Sequence, residues 1–432
     1  MEPETPAQVA ARVDRRGTVA RGLGRSYGDA ALNAGKLVLG LRHMDRYLAF
    51  DEETGTLTCE AGVSLSRIIQ DFAPRGWFPM ITPGTKYVTI GGCIANDVHG
   101  KAHHAQGSFS ACVVSMTVLL ASGQVVVASR EQNADLFWGT FGGMGLLGIV
   151  LAATLRLRRI ETTYFRQRAF AVNDLAEMLN ALDEQDKTYP YSVATLDLFA
   201  RGPRLGRGVL VVGDHALREE LPSDLARDPL RVAGDPLFTV PFDLPEFALN
   251  PLTMRVLNAI ILQVQLAPVA FKHCDSFFYP LDVLGQWYRG YGKRGFTQYQ
   301  FVIPFADGLA RMRAILDTIL SSGKLPFLNV IKRMGKESGG LLSFPAEGYT
   351  LAIDFPVRDD TVPLLRRLDA MVLEAGGRIY LGKDSYVEPA MFRAMYPAID
   401  AFLALKAKYD PHNVFTSDLG RRVGLVPQRS SL

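Results

Sequence analysis

The sequence predicts an α+β fold in two domains, and three observations carry that expectation. The chain has 432 residues, more than one ordinary hydrophobic core organises. Residues 5 to 160 alternate short strands and helices with turn signals between them, without the regular strand–helix repeat of a doubly wound sheet. Residues 296 to 381 read in the order β-α-β-β-α-β, which predicts an antiparallel sheet with helices on one face.

In the first part, Tyr47 to Phe50 and Thr56 to Glu60 alternate as strands about the polar turn Asp51-Glu52-Glu53-Thr54-Gly55. Val63 to Phe72 reads as a helix with Leu65, Ile68, Ile69 and Phe72 on one side. Val113 to Leu120 and Gln124 to Ala128 flank Ser122-Gly123 as a second hairpin. In the second part, Phe296 to Pro304 is a strand, and Asp307 to Ser322 a helix with Leu309, Met312, Ile315, Leu316 and Ile319 inward, stopped by Gly323. Strands over Leu325 to Lys332 and Tyr349 to Pro356, a helix over Val362 to Ala375 and a strand from Arg378 to Leu381 complete the unit.

Strand alternation puts Gln298 and Gln300 on one face and turns Tyr299 and Phe301 into the helices. Polar strand faces are usually solvated. Here Lys332 and Lys383 fall on or beside strands of the same unit, so the face can present amides and ammonium groups to a polyhydroxylated, phosphate-bearing ligand.

Two glycine-rich loops precede that unit. The first is Arg21-Gly22-Leu23-Gly24-Arg25-Ser26-Tyr27-Gly28-Asp29; the second combines Pro83-Gly84-Thr85 with Thr89-Ile90-Gly91-Gly92. Loops without side chains bring backbone N–H groups against a pyrophosphate, which implies a dinucleotide. The first reads G-x-G-x-x-x-G and runs into Leu37-Val38-Leu39 without opening a long helix, so the nicotinamide fingerprint is excluded. The segment Asn96-Asp97-Val98-His99-Gly100-Lys101-Ala102-His103-His104 follows. It has no cysteine or fourth ligand at zinc spacing, and no metal site is expected.

Bulk properties narrow the partners. A formal net charge of +3 and the lack of a nucleic-acid motif exclude a nucleic-acid partner. Cys59, Cys93, Cys112 and Cys274 are scattered and read as buried free thiols. The N-terminal residues carry no basic and apolar signal regions. The apolar stretch Val256 to Phe271 is interrupted by Asn258, Gln263, Gln265 and Pro268 and is shorter than the ~20 residues of a membrane span. It reads either as a buried helix or as an apolar flap against a lipid or a membrane surface.

Arg21 to Asn33, Pro83 to His104, Phe137-Trp138-Gly139-Thr140-Phe141-Gly142-Gly143 with Gly145 and Gly148, and Tyr409-Asp410-Pro411-His412-Asn413-Val414-Phe415 together resemble the vanillyl-alcohol-oxidase/PCMH family of FAD oxidoreductases. Gln298-Tyr299-Gln300-Phe301 and Lys383-Asp384-Ser385 resemble its more specific branch, the oxidases of polyprenyl-phosphoryl ribose that form the flavin half of a ribose-to-arabinose epimerase.

The resemblance implies a PCMH-type FAD-binding domain over residues 1 to 161, a substrate-binding cap over 162 to 377, and a C-terminal segment, 378 to 432, returning to the first domain. It implies FAD held by Arg21, Gly22, Leu23, Gly24, Arg25, Ser26, Tyr27, Gly28, Gly84, Thr89, Ile90, Gly91, Gly92, Asn96, His99, Ile149 and Tyr380. Lys383 and His99 are the implied catalytic pair, with Lys383 favoured as a cation that stabilises developing negative charge. Tyr27, Gln298, Gln300, Lys332 and Ala352 are the implied substrate contacts.

Relatives that oxidise aldonolactones and alditols carry a flavin-linked histidine where this chain has Arg25, so FAD is expected to be non-covalent. Ala352 stands where mycobacterial-type enzymes have cysteine, Phe278 replaces a pocket tyrosine, and a Gly-Trp-Gly-Arg-Thr segment is missing. The implied partners are a polyprenyl-phosphoryl sugar, a separate NADH-dependent short-chain reductase and a peripheral membrane contact, placing the protein in the cytoplasm or at the cell envelope. Two alternatives stay open: an oxidase of a free alditol or sugar lactone, and a non-catalytic flavoprotein module.

Overall fold

A computed structural model describes residues 2–234, 238–245, 250–268, 270–324, 326 and 328–428. Helix α1 (Pro6–Arg12) precedes β1 (Thr18–Arg21) and β2 (Leu37–Gly40), a parallel pair. β3 (Tyr47–Asp51) and β4 (Thr56–Glu60) form the expected hairpin. α2 (Leu65–Phe72) starts after Ser64, whose hydroxyl accepts from Arg67 N at 3.2 Å, so residues 63 and 64 lie outside the helix predicted from Val63. Its Leu65, Ile68, Ile69 and Phe72 are buried as the spacing requires.

β5 (Trp77–Pro79), α3 (Ile90–Ala95), α4 (His103–Gln106), the hairpin β6 (Val113–Leu119) and β7 (Val125–Ser129), α5 (Ala134–Thr140) and β8 (Ile149–Arg159) follow. β8 completes a sheet ordered β3-β4-β8-β6-β7, with β5 on a further stretch of β8. All four cysteines are buried and free.

A second sheet begins at β9 (Tyr164–Val172). After it come α6 (Leu175–Gln185), β10 (Tyr191–Leu196), β11 (Gly208–His215), β12 (Phe238–Thr239), α7 (Pro251–Leu266), β13 (Phe271–His273), α8 (Cys274–Phe278) and β14 (Leu284–Gly285). The predicted β-α-β-β-α-β unit then appears as β15 (Phe296–Ile303), α9 (Gly308–Ser321), β16 (Asn329–Met334), β17 (Gly348–Pro356), α10 (Thr361–Glu374) and β18 (Arg378–Ile379). β16 starts later than the strand expected from Leu325; of that stretch, residues 325 and 327 lie outside the described residues. The sheet is larger than the unit predicts. β13, β9, β11 and β10 extend it to the order β13-β9-β11-β10-β16-β17-β15-β18.

Tyr299 and Phe301 turn toward the helices as alternation requires, and Tyr299 Oη donates to Asp369 of α10 at 2.8 Å. The opposite, polar face is not solvated: Gln298 and Gln300 are buried against the first half of the chain. α7 departs from the buried-helix expectation. Only Met254 is buried, while Leu252, Val256, Ile260 and Val264 form an exposed stripe at four-residue spacing. No described helix is long and apolar enough to cross a membrane.

α11 (Pro389–Met395), α12 (Ile399–Tyr409) and α13 (Asp418–Arg422) carry the chain back to its start, where Phe415 bridges Thr18. The Asp410 to Phe415 motif works as a tie. Asp410 accepts from Val414 N and Phe415 N, each at 2.7 Å, and Lys406 Nζ donates to the Leu146 and Phe415 carbonyls at 2.7 and 2.8 Å. Arg422 then joins two loops, binding Asp29 at 2.8 Å and Asp384 at 2.9 Å.

Candidate functional site

A cavity of about 1460 Å³ lies between the glycine-rich loops and the polar face of the large sheet. Its floor on the loop side is built by close approach. A Cβ on Gly22 would stand 2.1 Å from Thr89 Oγ1, and Thr89 itself caps α3 by accepting from Gly92 N at 3.2 Å. A Cβ on Gly28 would stand 1.9 Å from the Asp384 carbonyl oxygen, so that glycine lets the first loop seat the turn that carries Lys383.

This floor fits a dinucleotide. The N–H groups of Gly22, Leu23, Gly24, Arg25 and Ser26 donate to no acceptor among the described residues, and all five residues line the cavity. Orphan amides in a row are a cradle for phosphate oxygens. Gly84, Gly91, Gly92 and Asn96 line it too, and Asn96 Oδ1 is buried with no partner among the described residues.

Of the other expected residues, Arg21, Tyr27, Thr89, His99, Tyr380, Lys383, Gln298, Lys332 and Ala352 line the same cavity. Gly28, Ile90, Ile149 and Gln300 do not reach its wall. Ile90 packs in the main core, and Ile149 packs in a cluster with Leu39, Leu119 and Phe415 on the far side of β8. Gln300 stands behind His99.

Sheet register assembles the polar wall. Gln298 of β15 pairs with Asp354 of β17, Gln300 pairs with Ala352, and Lys332 of β16 pairs with Thr350. Gln298 donates to Asp354 Oδ1, and Tyr291 Oη donates to Asp354 Oδ2 at 3.1 Å. Lys383 Nζ lies 5.8 Å from the centroid of the Tyr27 ring, which packs edge-on against Phe296 at 5.4 Å.

Hydrogen bonds settle the tautomer of His99. Thr350 donates its hydroxyl proton to Phe301 O at 2.7 Å, so it accepts from Gln300 Nε2 at 3.1 Å. That fixes the amide, whose second proton faces His99 Nε2 at 3.3 Å. Nε2 is therefore the lone-pair nitrogen, and neutral His99 carries its proton on Nδ1, which has no partner among the described residues. Burial, with Lys332, His103 and Lys383 nearby, holds His99 well below the ordinary histidine pKa.

The lysines divide in the same way. Burial lowers the pKa of Lys383, while the Asp354 carboxylate opposes the shift and favours the cation. No carboxylate among the described residues opposes it at Lys332, where burial and the charges of Lys383 and Lys101 bring the pKa down to about 7. Sequence reasoning left Asp354, Thr350 and Arg422 without roles. For the first two the signal was present, since strand alternation puts residues 350, 352 and 354 on one face; the join made by Arg422 depends on tertiary contact alone.

Residues 1–129 match the family described as FAD binding domain, and residues 293–423 the family described as D-arabinono-1,4-lactone oxidase. Over 420 residues the chain is 38% identical to decaprenylphosphoryl-β-D-ribose oxidase of Mycolicibacterium smegmatis, covering 96% of this chain and 91% of that protein. It is 24% identical over 430 residues to L-gulono-1,4-lactone dehydrogenase of Mycobacterium tuberculosis, covering 96% and 93%. A shorter match, 30% identical over 172 residues and covering 39% of this chain and 38% of the relative, is to L-gulonolactone oxidase of Mus musculus.

Proposed function

Because the chain belongs to the decaprenylphosphoryl-β-D-ribose oxidase family of FAD-dependent oxidoreductases, we propose that its sugar oxidation takes the C2 hydroxyl of a polyprenyl-phosphoryl-β-D-ribose to the 2-keto sugar. This is the first half of an epimerisation to arabinose, which a separate NADH-dependent reductase completes. The observation that carries the reading is the wall of Gln298, Lys332, Tyr27 and Lys383 facing the amide cradle across one cavity.

Arg21, the amides of residues 22 to 26, Gly84, Gly91, Gly92, Asn96 and Tyr380 would hold FAD, with no covalent bond at Arg25. Bound FAD supplies the acceptor for the hydride that leaves the carbinol carbon. Lys332 Nζ, near half deprotonated at neutral pH, takes the hydroxyl proton. Lys383, kept cationic by Asp354, and the Nδ1–H of His99 stabilise oxygen charge as it develops. Gln300 acts through His99 by fixing its tautomer. Tyr27 and Gln298 orient the sugar.

The match of residues 293–423 to D-arabinono-1,4-lactone oxidase favours a second reading, oxidation of a free lactone or alditol. Anaerobic titration of the FAD-loaded protein separates the two. Polyprenyl-phosphoryl ribose is expected to bleach the flavin absorbance, while free ribose, xylitol and lactones leave it unchanged; bleaching by the free sugars instead overturns the first reading.

A further inference from the structure

Two lysines on the cavity are used by neither the oxidation step nor the cofactor. Lys101 follows His99-Gly100, and Lys272 lies on β13; both line the cavity. Lys101 donates to the Phe277 carbonyl, and its ammonium sits 4.5 Å from the centroid of the Phe277 ring. That contact leaves two of its three protons free for another acceptor.

No carboxylate among the described residues acts on either lysine. Burial brings Lys101 down to about 7, with the charge of Lys272 adding to the shift, and burial also lowers Lys272. Two neighbouring cations without a counter-charge in a walled cavity cost free energy that a bound anion offsets. The surroundings say what the anion is attached to. Val193 and Val211 of the sheet and Ile260, Ile261 and Val264 of α7 line the same cavity, and Ile260 and Val264 continue into the exposed apolar stripe through Val256 to Leu252. A small hydrophilic anion has no use for that wall.

We propose that Lys101 and Lys272 form a subsite for a phosphate ester whose alkyl side runs out along α7. This rests on the proposed substrate for its place in the reaction, but it stands on binding alone for its test. The site takes the phosphate as an anion held by two ammonium groups, and α7 takes the chain that follows.

The test uses FAD-loaded protein and three probes, farnesyl phosphate, inorganic phosphate and farnesol, with binding read by calorimetry. Wild type is expected to bind farnesyl phosphate more tightly than either other probe. Lys101→Met and Lys272→Met should each weaken farnesyl phosphate about tenfold, the size of one charge-assisted contact, and leave farnesol binding as in wild type. Lys101→Arg, which keeps the charge, should retain most of the affinity, and melting of each variant with FAD bound checks that it is folded. Equal binding of farnesyl phosphate by wild type and both Met variants overturns the subsite, as does an equal loss for farnesyl phosphate and farnesol. Inorganic phosphate binding as tightly as the lipid ester, with the same dependence on both lysines, overturns the lipid-linked assignment in favour of a free anion. None of these readouts involves ribose oxidation, so a failure of the sugar assignment leaves the result for the subsite intact.

Discussion

Gly22→Ala tests the amide cradle at its tightest point. The added Cβ would meet Thr89 Oγ1 at 2.1 Å, Cγ2 at 3.0 Å and Cβ at 3.1 Å. No left-handed backbone conformation is required at this position, so the cost is steric. Thr89 relieves the clash only by rotating away, which breaks its 3.2 Å cap on Gly92 N and costs about 1 kcal/mol. Otherwise the first loop lifts and displaces the amides of residues 22 to 26 together. Two or more weakened phosphate contacts at about 1.5 kcal/mol each imply a loss of FAD affinity on the order of a hundredfold. Thr89→Ala removes both near side-chain atoms and leaves only the 3.1 Å contact, so the double variant should bind FAD better than Gly22→Ala alone. The assay is titration of apo-protein with FAD, followed by flavin fluorescence, with urea unfolding of all four members of the cycle. Wild-type affinity in Gly22→Ala, or strict additivity in the double variant, refutes the close-packed floor.

Other perturbations give separate outcomes. Lys86 and Asp275 form a buried ion pair at 2.9 Å that joins the second glycine loop to α8; Lys86→Met strands the carboxylate and should lower unfolding free energy in urea by about 3–5 kcal/mol. Denaturation followed by filtration should release the flavin from the chain, and flavin retained on unfolded protein refutes the non-covalent reading. Lys383→Met should abolish sugar-dependent bleaching with FAD still bound; bleaching at the wild-type rate removes Lys383 from the reaction. Free Lys101 has a pKa near 7, so at pH 8 it is mostly neutral and must gain a proton to hold a phosphate. Farnesyl phosphate binding at pH 8 should therefore take up protons, seen as a dependence of binding heat on buffer ionisation, and affinity should fall as pH rises. In the unbound protein the lowered lysine pKa values make the unfolded state the better proton binder from about pH 7 upward, so their contribution to stability rises with pH there.

How much of this was legible in the sequence follows from which interactions are local. The β-α-β-β-α-β unit could be read because each element carries its own periodicity, and the alternation that turns Tyr299 to Asp369 also turns Gln298 to the cavity and Gln300 to His99. The rest of the large sheet was not read: β9, β10 and β11 join β16 through a long-range pairing, Ala194 with Ile331, that no local pattern announces. α7 shows a different limit. Its composition fits a core helix, and only its neighbours decide that one stripe stays uncovered. At the site, the glycine loops and the residues of the polar wall were found. Gly28 and Gln300 were placed correctly in the chain but act from behind the wall, Gly28 by admitting the Asp384 carbonyl and Gln300 by holding His99.

The distribution of charge along the cavity ties these parts together. Asp354 acts on Lys383 electrostatically and is itself satisfied by Gln298 and Tyr291, so the Lys383 cation is stabilised within the protein. No carboxylate among the described residues plays that part for Lys332, Lys101 or Lys272: burial and neighbouring cations bring Lys332 and Lys101 down to about 7, and burial lowers Lys272. A substrate that brings a phosphate to the outer lysines supplies the missing negative charge there and raises their pKa. Lys332 feels both Lys383 and Lys101. Shielding Lys101 with phosphate weakens one of the repulsions on Lys332, so its basicity depends on whether the ester is in place. A neutral sugar, lacking that anion, would leave the lower pKa of Lys332 in place, so Lys332 would lose its proton at lower pH than with the phosphoryl sugar bound. The coupling would then be visible in the pH profile of the bleaching step, with a higher apparent pKa for the phosphoryl sugar, and equal apparent pKa values for it and a neutral farnesyl riboside would remove this coupling.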